Sequence, residues 1–355
     1  MNSKIRMKNL TLDQLQASMI NEGEKKFRAR QLIKWIYQKR VCSFDQMNNI
    51  PKTVRQKLSE KYSLEKMKPV YVKESSYGDA VKFGFSLIES KHVVESVLLY
   101  DGKRRTACIS SQLGCALGCV FCRTAVMGLI RNLTLEEIIG QLTGINDYLN
   151  EKKDKLITNI VFMGMGEALS NFENFRKSLE IIMHEETFNI GGRRITVSTA
   201  GVIPSIEKLM NENLNVGLAI SLNAYTNEKR NSLMPVNRKY PIELLVKIAG
   251  KFFEKTGRRV TFEYVVIDGE NDTGHAVNGL HKLLNALPCK INLIPVNPSD
   301  DSKLRAPSDK KLKDFADQLH ARGLTVTIRK SRGQDILGAC GQLAGSINKS
   351  VSGFQ

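Results

Sequence analysis

Three cysteines within eight residues are the part of this sequence best suited to chemistry. Cys115, Cys119 and Cys122 have the spacing C-x3-C-x2-C, and a glycine precedes each of the first two. Glycine tolerates the positive φ angles of a tight loop, so three thiolates can converge on one centre. Three thiolates are too few for an all-cysteine zinc site but suit a [4Fe–4S] cluster with one open iron. The spacing predicts such a cluster, and zinc completed by Cys108 is the alternative.

The composition limits the possible partners. The chain has 355 residues, 42% of them hydrophobic, which is enough for one large core and a small accessory domain. A net charge of +17, from 53 Lys and Arg against 36 Asp and Glu, favours a polyanionic partner, although a merely basic surface explains it equally well. We find no secretory leader and no apolar run long enough to cross a bilayer, so we expect a cytoplasmic protein without membrane contact.

The first ninety residues predict a separate accessory domain, mainly helical, that binds RNA and ends in a linking β-hairpin. A helix is predicted over residues 24–40, with a basic face and an apolar stripe that includes Phe27. Trp35, within it, is interpreted as a core anchor in preference to a base-stacking platform. Pro51 is predicted at the first position of a later helix. The basic face consists of Lys25, Lys26, Arg28, Arg30 and Lys34.

The rest of the chain alternates between strand and helix patterns, which is typical of a parallel sheet. We expect residues 91–345 to form an open (βα)6 partial barrel, and residues 346–355 a tail. A capping box at Thr134 and Glu137 predicts the start of one helix. The hairpin strands are expected near 82–87 and 93–100. The barrel strands are expected at 106–111, 157–163, 194–198, 216–222, 260–266 and 290–295, with a seventh at 324–329.

The chemistry of a parallel barrel lies at the carboxyl ends of its strands, and here those ends are polar or rich in glycine. Four of them are 163–167, with Glu167 as a potential acceptor for an amine or a ribose hydroxyl, 198–201, 221–224 and 295–298. Each could be a structural turn on its own. Their shared position at one rim, with the cysteine loop after the first strand, predicts a ligand site there.

The cysteine spacing, with Phe121 before the last cysteine, resembles the signature of the radical S-adenosylmethionine (SAM) superfamily. Further motifs, which span nearly the whole chain, make it similar to the RlmN/Cfr family of radical SAM RNA adenine methyltransferases. These motifs are Cys108-Ile-Ser-Ser-Gln112, Gly164-Met-Gly-Glu167, Leu233-Met-Pro-Val-Asn237, Asn292-Leu-Ile-Pro295 and Ala339-Cys340-Gly-Gln-Leu343. The resemblance implies a SAM pocket made by Gly166, Glu167, Ser198, Ser221, Leu222, Asn223 and Asn297.

The resemblance also implies a mechanism with two cysteines and two molecules of SAM per turnover. Cys340 would take a methyl group from one SAM, as a thiolate nucleophile. A deoxyadenosyl radical from the second SAM would activate this methyl group for addition to adenine. Cys108 would then attack the Cys340 sulfur, which releases the product and leaves a transient disulfide. Glu95 would accept the proton lost from the adenine carbon, although sequence alone favours a solvated charge at this position.

Within the family, residues 288–294 and 338–345 look more like RlmN, which implies methylation of adenine C2 in 23S rRNA and beside the anticodon of tRNA. Methylation at C8, the Cfr-type resistance activity, is the alternative. Asn223 stands where the family commonly has histidine, which excludes titration near neutral pH at this position. The expected partners are 23S rRNA, tRNA and an electron donor such as flavodoxin or ferredoxin, and we expect a monomer. An RNA-binding iron–sulfur sensor without turnover is a hypothesis from another class.

Overall fold

The structure, a computed structural model, describes residues 4–88, 90–298 and 303–345, and the predicted tail at 346–355 lies outside them. The described strands are β1 (Ile5–Arg6), β2 (Tyr62–Ser63), β3 (Pro69–Glu74), β4 (Ala80–Ser86), β5 (Val93–Asp101), β6 (Arg104–Cys108), β7 (Gln112–Gly114), β8 (Leu129–Asn132), β9 (Asn159–Phe162), β10 (Ile195–Thr199), β11 (Gly217–Ser221), β12 (Val260–Val266), β13 (Cys289–Pro295) and β14 (Val326–Ile328). The described α-helices are α1 (Leu12–Asn21), α2 (Lys26–Tyr37), α3 (Lys52–Lys61), α4 (Arg123–Val126), α5 (Leu135–Glu151), α6 (Phe172–Met183), α7 (Ile203–Asn211), α8 (Asn227–Leu233), α9 (Ile242–Thr256), α10 (Gly274–Leu284) and α11 (Asp309–Ala321).

One ten-stranded sheet, in the order β14-β13-β12-β11-β10-β9-β6-β5-β4-β3, organises the molecule. From β6 to β14 its neighbouring strands pair in parallel, and at least one helix follows each of the first six. The predicted partial (βα)6 barrel with a seventh strand is confirmed. Thr134 and Glu137 form the predicted capping box at the start of α5.

The predicted hairpin is also confirmed, because β4 pairs antiparallel with β5 along seven residues. This hairpin extends the barrel sheet, since β5 pairs antiparallel with β6. The division at residue 90 stays a prediction, and the sheet is continuous across that position. The strands before and after it therefore share one hydrogen-bonded framework.

The N-terminal region contacts the barrel through ion pairs between α5 and residues that lie outside α1 to α3. Arg6 binds Glu136 at 2.7 Å, and Asp147 receives both Arg40 at 2.7 Å and Lys66 at 3.0 Å. These ion pairs join segments that adjoin the N-terminal helices to a helix of the barrel layer.

Two local predictions in this region are wrong by small amounts. Pro51 is the N-cap of α3 and precedes its first helical residue, because its ψ of 143° is extended. Phe27 is 49% exposed and lies outside the buried stripe of α2. Trp35 packs partly buried against the core, and its indole N–H donates to Asn49 at 2.6 Å.

Of the helices in the described ranges, none has the length and apolar character needed to span a membrane.

Candidate active site

A cavity of about 1050 Å³, open mouth included, lies at the carboxyl ends of the barrel strands. All three clustered cysteines line it. So do six of the seven residues expected to bind SAM, namely Gly166, Glu167, Ser198, Ser221, Asn223 and Asn297. Leu222 does not line the cavity, because its side chain is fully buried in the main core. The strand ends that the sequence singled out therefore meet in one place.

The loop of Cys115, Cys119 and Cys122 is built as the glycines suggested. Gly114 and Gly118 have φ angles of 77° and 66°. A Cβ on Gly114 would lie 1.8 Å from the carbonyl oxygen of Gly128, so the loop requires glycine there.

The three cysteine thiols are half-buried and lie near one another. Burial, with a smaller contribution from the neighbouring thiolates, raises the pKa of Cys115 to about 11 and that of Cys119 to about 12. Metal binding must therefore displace protons. Within the described ranges, no three His, Cys, Asp or Glu side chains are close enough to share one metal ion. Three thiolates leave one iron of a [4Fe–4S] cluster open but are too few for an all-cysteine zinc site, so the loop fits a cluster better than zinc. Cys108, the fourth ligand in the zinc alternative, does not line this cavity.

Glu167 is buried and ties two strand ends together. Its carboxylate accepts from the backbone N–H of Ala200 at 2.8 Å and of Leu169 at 3.3 Å. Burial raises its pKa to about 7, and these hydrogen bonds oppose the rise. A cation in the cavity would stabilise the charged form, which agrees with the acceptor role predicted from the sequence.

The motif at 108–112 supports the loop that carries Glu167. The Ser110 hydroxyl donates to the Glu95 carbonyl and accepts from Met165 N, and the Gln112 side chain accepts from Glu167 N at 2.8 Å. A Cβ on Gly166, whose φ is 92°, would lie 2.4 Å from the Gln112 side chain. Two motifs separated by some fifty residues are therefore one packed unit.

Arg230 supports the site from outside the cavity, and the sequence reasoning missed it. Its guanidinium is fully buried and donates to the Asn237 side chain and four carbonyls, those of Ala200, Ser221, Leu222 and Tyr240. It thereby joins the ends of β10 and β11, which line the cavity. A buried charge of this kind is visible in sequence only as one arginine among the many in the chain.

Asn223 has a φ of 58°, in the left-handed region where asparagine and histidine are both enriched. Its side chain is buried and accepts from Val265 N at 2.8 Å. The backbone requirement therefore accommodates either residue, and the departure from the family pattern leaves the strand end intact.

A second cavity adjoins the first and contains both remaining candidate cysteines. Cys108 lines only this second cavity, whereas Cys340 and Arg329 line both. Burial, with a smaller contribution from the Cys340 charge and against the effect of Arg329, raises the pKa of Cys108 to about 12. The Cys340 thiolate in turn raises the pKa of Arg329. Both cysteines are free thiols here, with a cation beside them.

The segment that carries Cys340 rests on the cluster loop and on the end of β13. Arg123 N donates to the Gly341 carbonyl at 2.8 Å, and the Asn297 side chain donates to the Cys340 carbonyl at 3.2 Å. Asn297 also accepts from Gln334 at 2.8 Å. The Asn297 amide, expected in the SAM pocket, therefore binds this segment directly.

Glu95 is 4% exposed, so its side chain is not the solvated charge that sequence alone favoured. Its carboxylate binds Lys82 at 3.0 Å, accepts from Ala344 N at 2.8 Å and accepts from the Tyr71 hydroxyl. Among the described residues that line the two cavities, Glu95 does not appear. Its predicted role as proton acceptor stays a prediction.

The comparisons with known proteins agree with this geometry. Residues 5–64 match the family described as "Ribosomal RNA large subunit methyltransferase N-terminal domain", and residues 109–276 match the radical SAM superfamily. A probable dual-specificity RNA methyltransferase RlmN of Clostridium beijerinckii is 41% identical over 94% of this chain and 93% of its own length. The RlmN of Geobacter sulfurreducens is 40% identical over 98% of this chain and 94% of its own length.

A crystal structure of a radical SAM methyltransferase from Sphaerobacter thermophilus superposes with a TM-score of 0.90 at 41% identity. It covers 96% of this chain and 99% of its own. The named relatives support the RlmN interpretation over the Cfr alternative, and their names are those of methyltransferases, not of a sensor without turnover. The chain therefore belongs to the RlmN family of radical SAM methyltransferases, enzymes that use a [4Fe–4S] cluster and SAM.

Proposed function

We propose that this enzyme methylates C2 of an adenine in 23S rRNA and of the adenine beside the anticodon in tRNA. The observation that carries the proposal is the position of Cys340 on the wall between two cavities, one with the clustered cysteines and one with Cys108. The relatives named as dual-specificity RNA methyltransferases support the substrate class. The net charge of +17 is suited to RNA.

The three thiolates of the cysteine loop, which line the same cavity as Glu167, would hold the cluster. When bound, the cluster supplies the electron that cleaves SAM to the radical that activates the methyl group. Glu167 would orient the substrate SAM by accepting from its amino group or ribose. Arg230 would hold the ends of β10 and β11 in place when SAM binds.

Cys340 would first act as a nucleophile. Its thiolate attacks the methyl carbon of a first SAM, a carbon–sulfur bond forms, and the electron pair of the breaking bond stays on the departing S-adenosylhomocysteine. Arg329 would place a positive charge beside the reacting sulfur, since it lines both cavities. A second SAM per turnover is required because the first has lost its methyl group.

Cys108 would release the methylated RNA. Its thiolate attacks the Cys340 sulfur, a disulfide forms, and the bond from sulfur to the transferred carbon breaks with its electron pair on carbon, which then takes a proton. The disulfide needs two electrons before the next turnover. We further propose, from family membership, a flavodoxin or ferredoxin as electron donor and a cytoplasmic monomer.

Nucleoside analysis tests the proposed reaction. The reconstituted enzyme, incubated with SAM, reductant and unmodified 23S rRNA or tRNA, should yield 2-methyladenosine by mass spectrometry. Loss of this product on replacing Cys115 with Ala, while Cys42→Ala retains it, would link the activity to the cluster. Only 8-methyladenosine, or no methylated adenosine, would contradict the proposal.

A further inference from the structure

A buried ion pair in the hairpin of β4 and β5 contacts the segment that carries Cys340 on both sides. Lys82 and Glu95 are 6% and 4% exposed, and their charged atoms lie 3.0 Å apart. The Lys82 ammonium donates to the Leu337 carbonyl at 3.2 Å, and the Glu95 carboxylate accepts from Ala344 N at 2.8 Å. Leu337 precedes Cys340 by three residues, and Ala344 follows it by four. The pair therefore holds both ends of one short segment.

The hairpin is shaped to keep Glu95 at this point. Tyr71, Gly84 and Glu95 lie opposite one another on three neighbouring strands, and the Tyr71 ring crosses over Gly84 to place its hydroxyl against the Glu95 carboxylate. A Cβ on Gly84 would lie 2.2 Å from that ring. Burial raises the pKa of Tyr71, and the Glu95 charge raises it further. Tyr71 thus remains a hydrogen-bond donor to Glu95.

The backbone of the segment has an unfavourable conformation at one residue. Leu337 has a φ of 52°, in the left-handed region, which is an outlier for a bulky residue. Such conformations persist when the surrounding structure determines them. The bond from Lys82 to the Leu337 carbonyl is one such constraint, and the bond from Gly338 N to the Gly333 carbonyl at 2.7 Å is another.

From these contacts we infer that Lys82, Glu95 and Tyr71 are positioning residues that set the place of Cys340 between the two cavities. The inference rests on the proposed function in that it treats Cys340 as the methyl acceptor. The inference assigns Glu95 a structural role, which is to hold the Cys340 segment in place. This role precedes proton transfer from RNA and does not require it. Lys82 lines neither cavity among the described residues, so it acts only through the segment.

The test compares Lys82→Met with Lys103→Met, a matched change in the exposed turn between β5 and β6. For each reconstituted protein, three quantities are measured without RNA: hydrogen exchange of residues 337–344, the rate of S-methylation of Cys340 by SAM, and the rate of 5′-deoxyadenosine release. We expect Lys82→Met to accelerate the exchange and to slow the methylation roughly tenfold or more, with the release of 5′-deoxyadenosine that needs no methylated Cys340 retained. Lys103→Met should match the wild type.

A second variant is needed as a control for unfolding, because Lys82→Met leaves the Glu95 charge buried without its partner and could destabilise the fold. The double change Lys82→Met with Glu95→Met removes both charges and should show the same loosened segment and slow methylation. Lys82→Arg, which keeps the charge, should restore most of the rate. Wild-type exchange and wild-type methylation in Lys82→Met or in the double variant would overturn the inference. If wild-type Cys340 itself takes no methyl group, the proposed function fails, while the exchange measurement still decides whether the ion pair fastens the segment.

Discussion

Burial of the Glu167 carboxylate makes the stability of the metal-free protein depend on pH. Its pKa is raised from 4.5 to about 7 by burial, so between these values the folded state binds more protons than the unfolded state. The free energy of unfolding must therefore fall as pH rises through this window, by a contribution on the order of 3 kcal/mol. In Glu167→Gln this contribution is absent. Urea unfolding of both proteins at pH 5 and pH 7.5 measures it, and equal pH dependence in the two would contradict the burial argument.

We expect removal of the Arg230 side chain to lower the stability of the folded protein, because this side chain bonds the backbone around the site. Arg230→Met would leave four carbonyl groups without their donor, at about 1–3 kcal/mol for each group that water cannot reach. We expect the free energy of unfolding to fall by at least about 3 kcal/mol. Arg238→Met, in the exposed turn that follows, is the control. A loss below about 1 kcal/mol would mean that water replaces the guanidinium.

At the scale of elements, α2 offers the cationic face that the sequence predicted, although only part of it is available. Lys25, Lys26 and Arg30 are exposed, whereas Arg28 donates to Asn49 and Lys34 pairs with Glu186 at 3.7 Å. If the exposed three contact phosphates, changing them to Gln should lower RNA affinity. The slope of log affinity against log salt should fall by about two.

The control for α2 is the same loss of three charges at Lys310, Lys313 and Arg322, on and after α11. It should leave both the RNA affinity and the slope nearer to those of the wild type. Equal losses in the two proteins would mean that net charge, not the face of α2, governs binding. Residues 329–332 form another basic run, Arg-Lys-Ser-Arg, near the site. This run is less suited to RNA, because Arg329 lines the cavity of the two cysteines and Arg332 binds Asp101.

The elements were predictable where periodicity and capping act locally. The structure has β12 at residues 260–266, the range predicted from the sequence, and the capping box of Thr134 and Glu137 gave the start of α5. Pro51 was misplaced by one position because an extended ψ and a helical ψ are equally compatible with its ring. The partners of Glu95 could not be predicted, because they depend on strand register and on a glycine that admits the Tyr71 ring.

At the scale of the whole molecule, the Cys340 segment connects parts of the chain that are far apart in sequence. It contacts the hairpin through Glu95, the cluster loop through Arg123 and the end of β13 through Asn297. The sequence predicted the roles of Cys108 and Cys340 only through family resemblance, since spacing says nothing about which distant thiol meets Cys340. The structure brings Cys108 and Cys340 to one cavity.

The central claim is that Cys340 carries the methyl group and Cys108 releases the product. The most direct measurement is mass spectrometry and denaturing electrophoresis of Cys108→Ala after incubation with SAM, reductant and RNA. The account predicts RNA that stays covalently attached to Cys340 through denaturation, no attachment in Cys340→Ala, and normal turnover in Cys42→Ala, an exposed control cysteine. Normal turnover of Cys108→Ala without attached RNA would contradict the account.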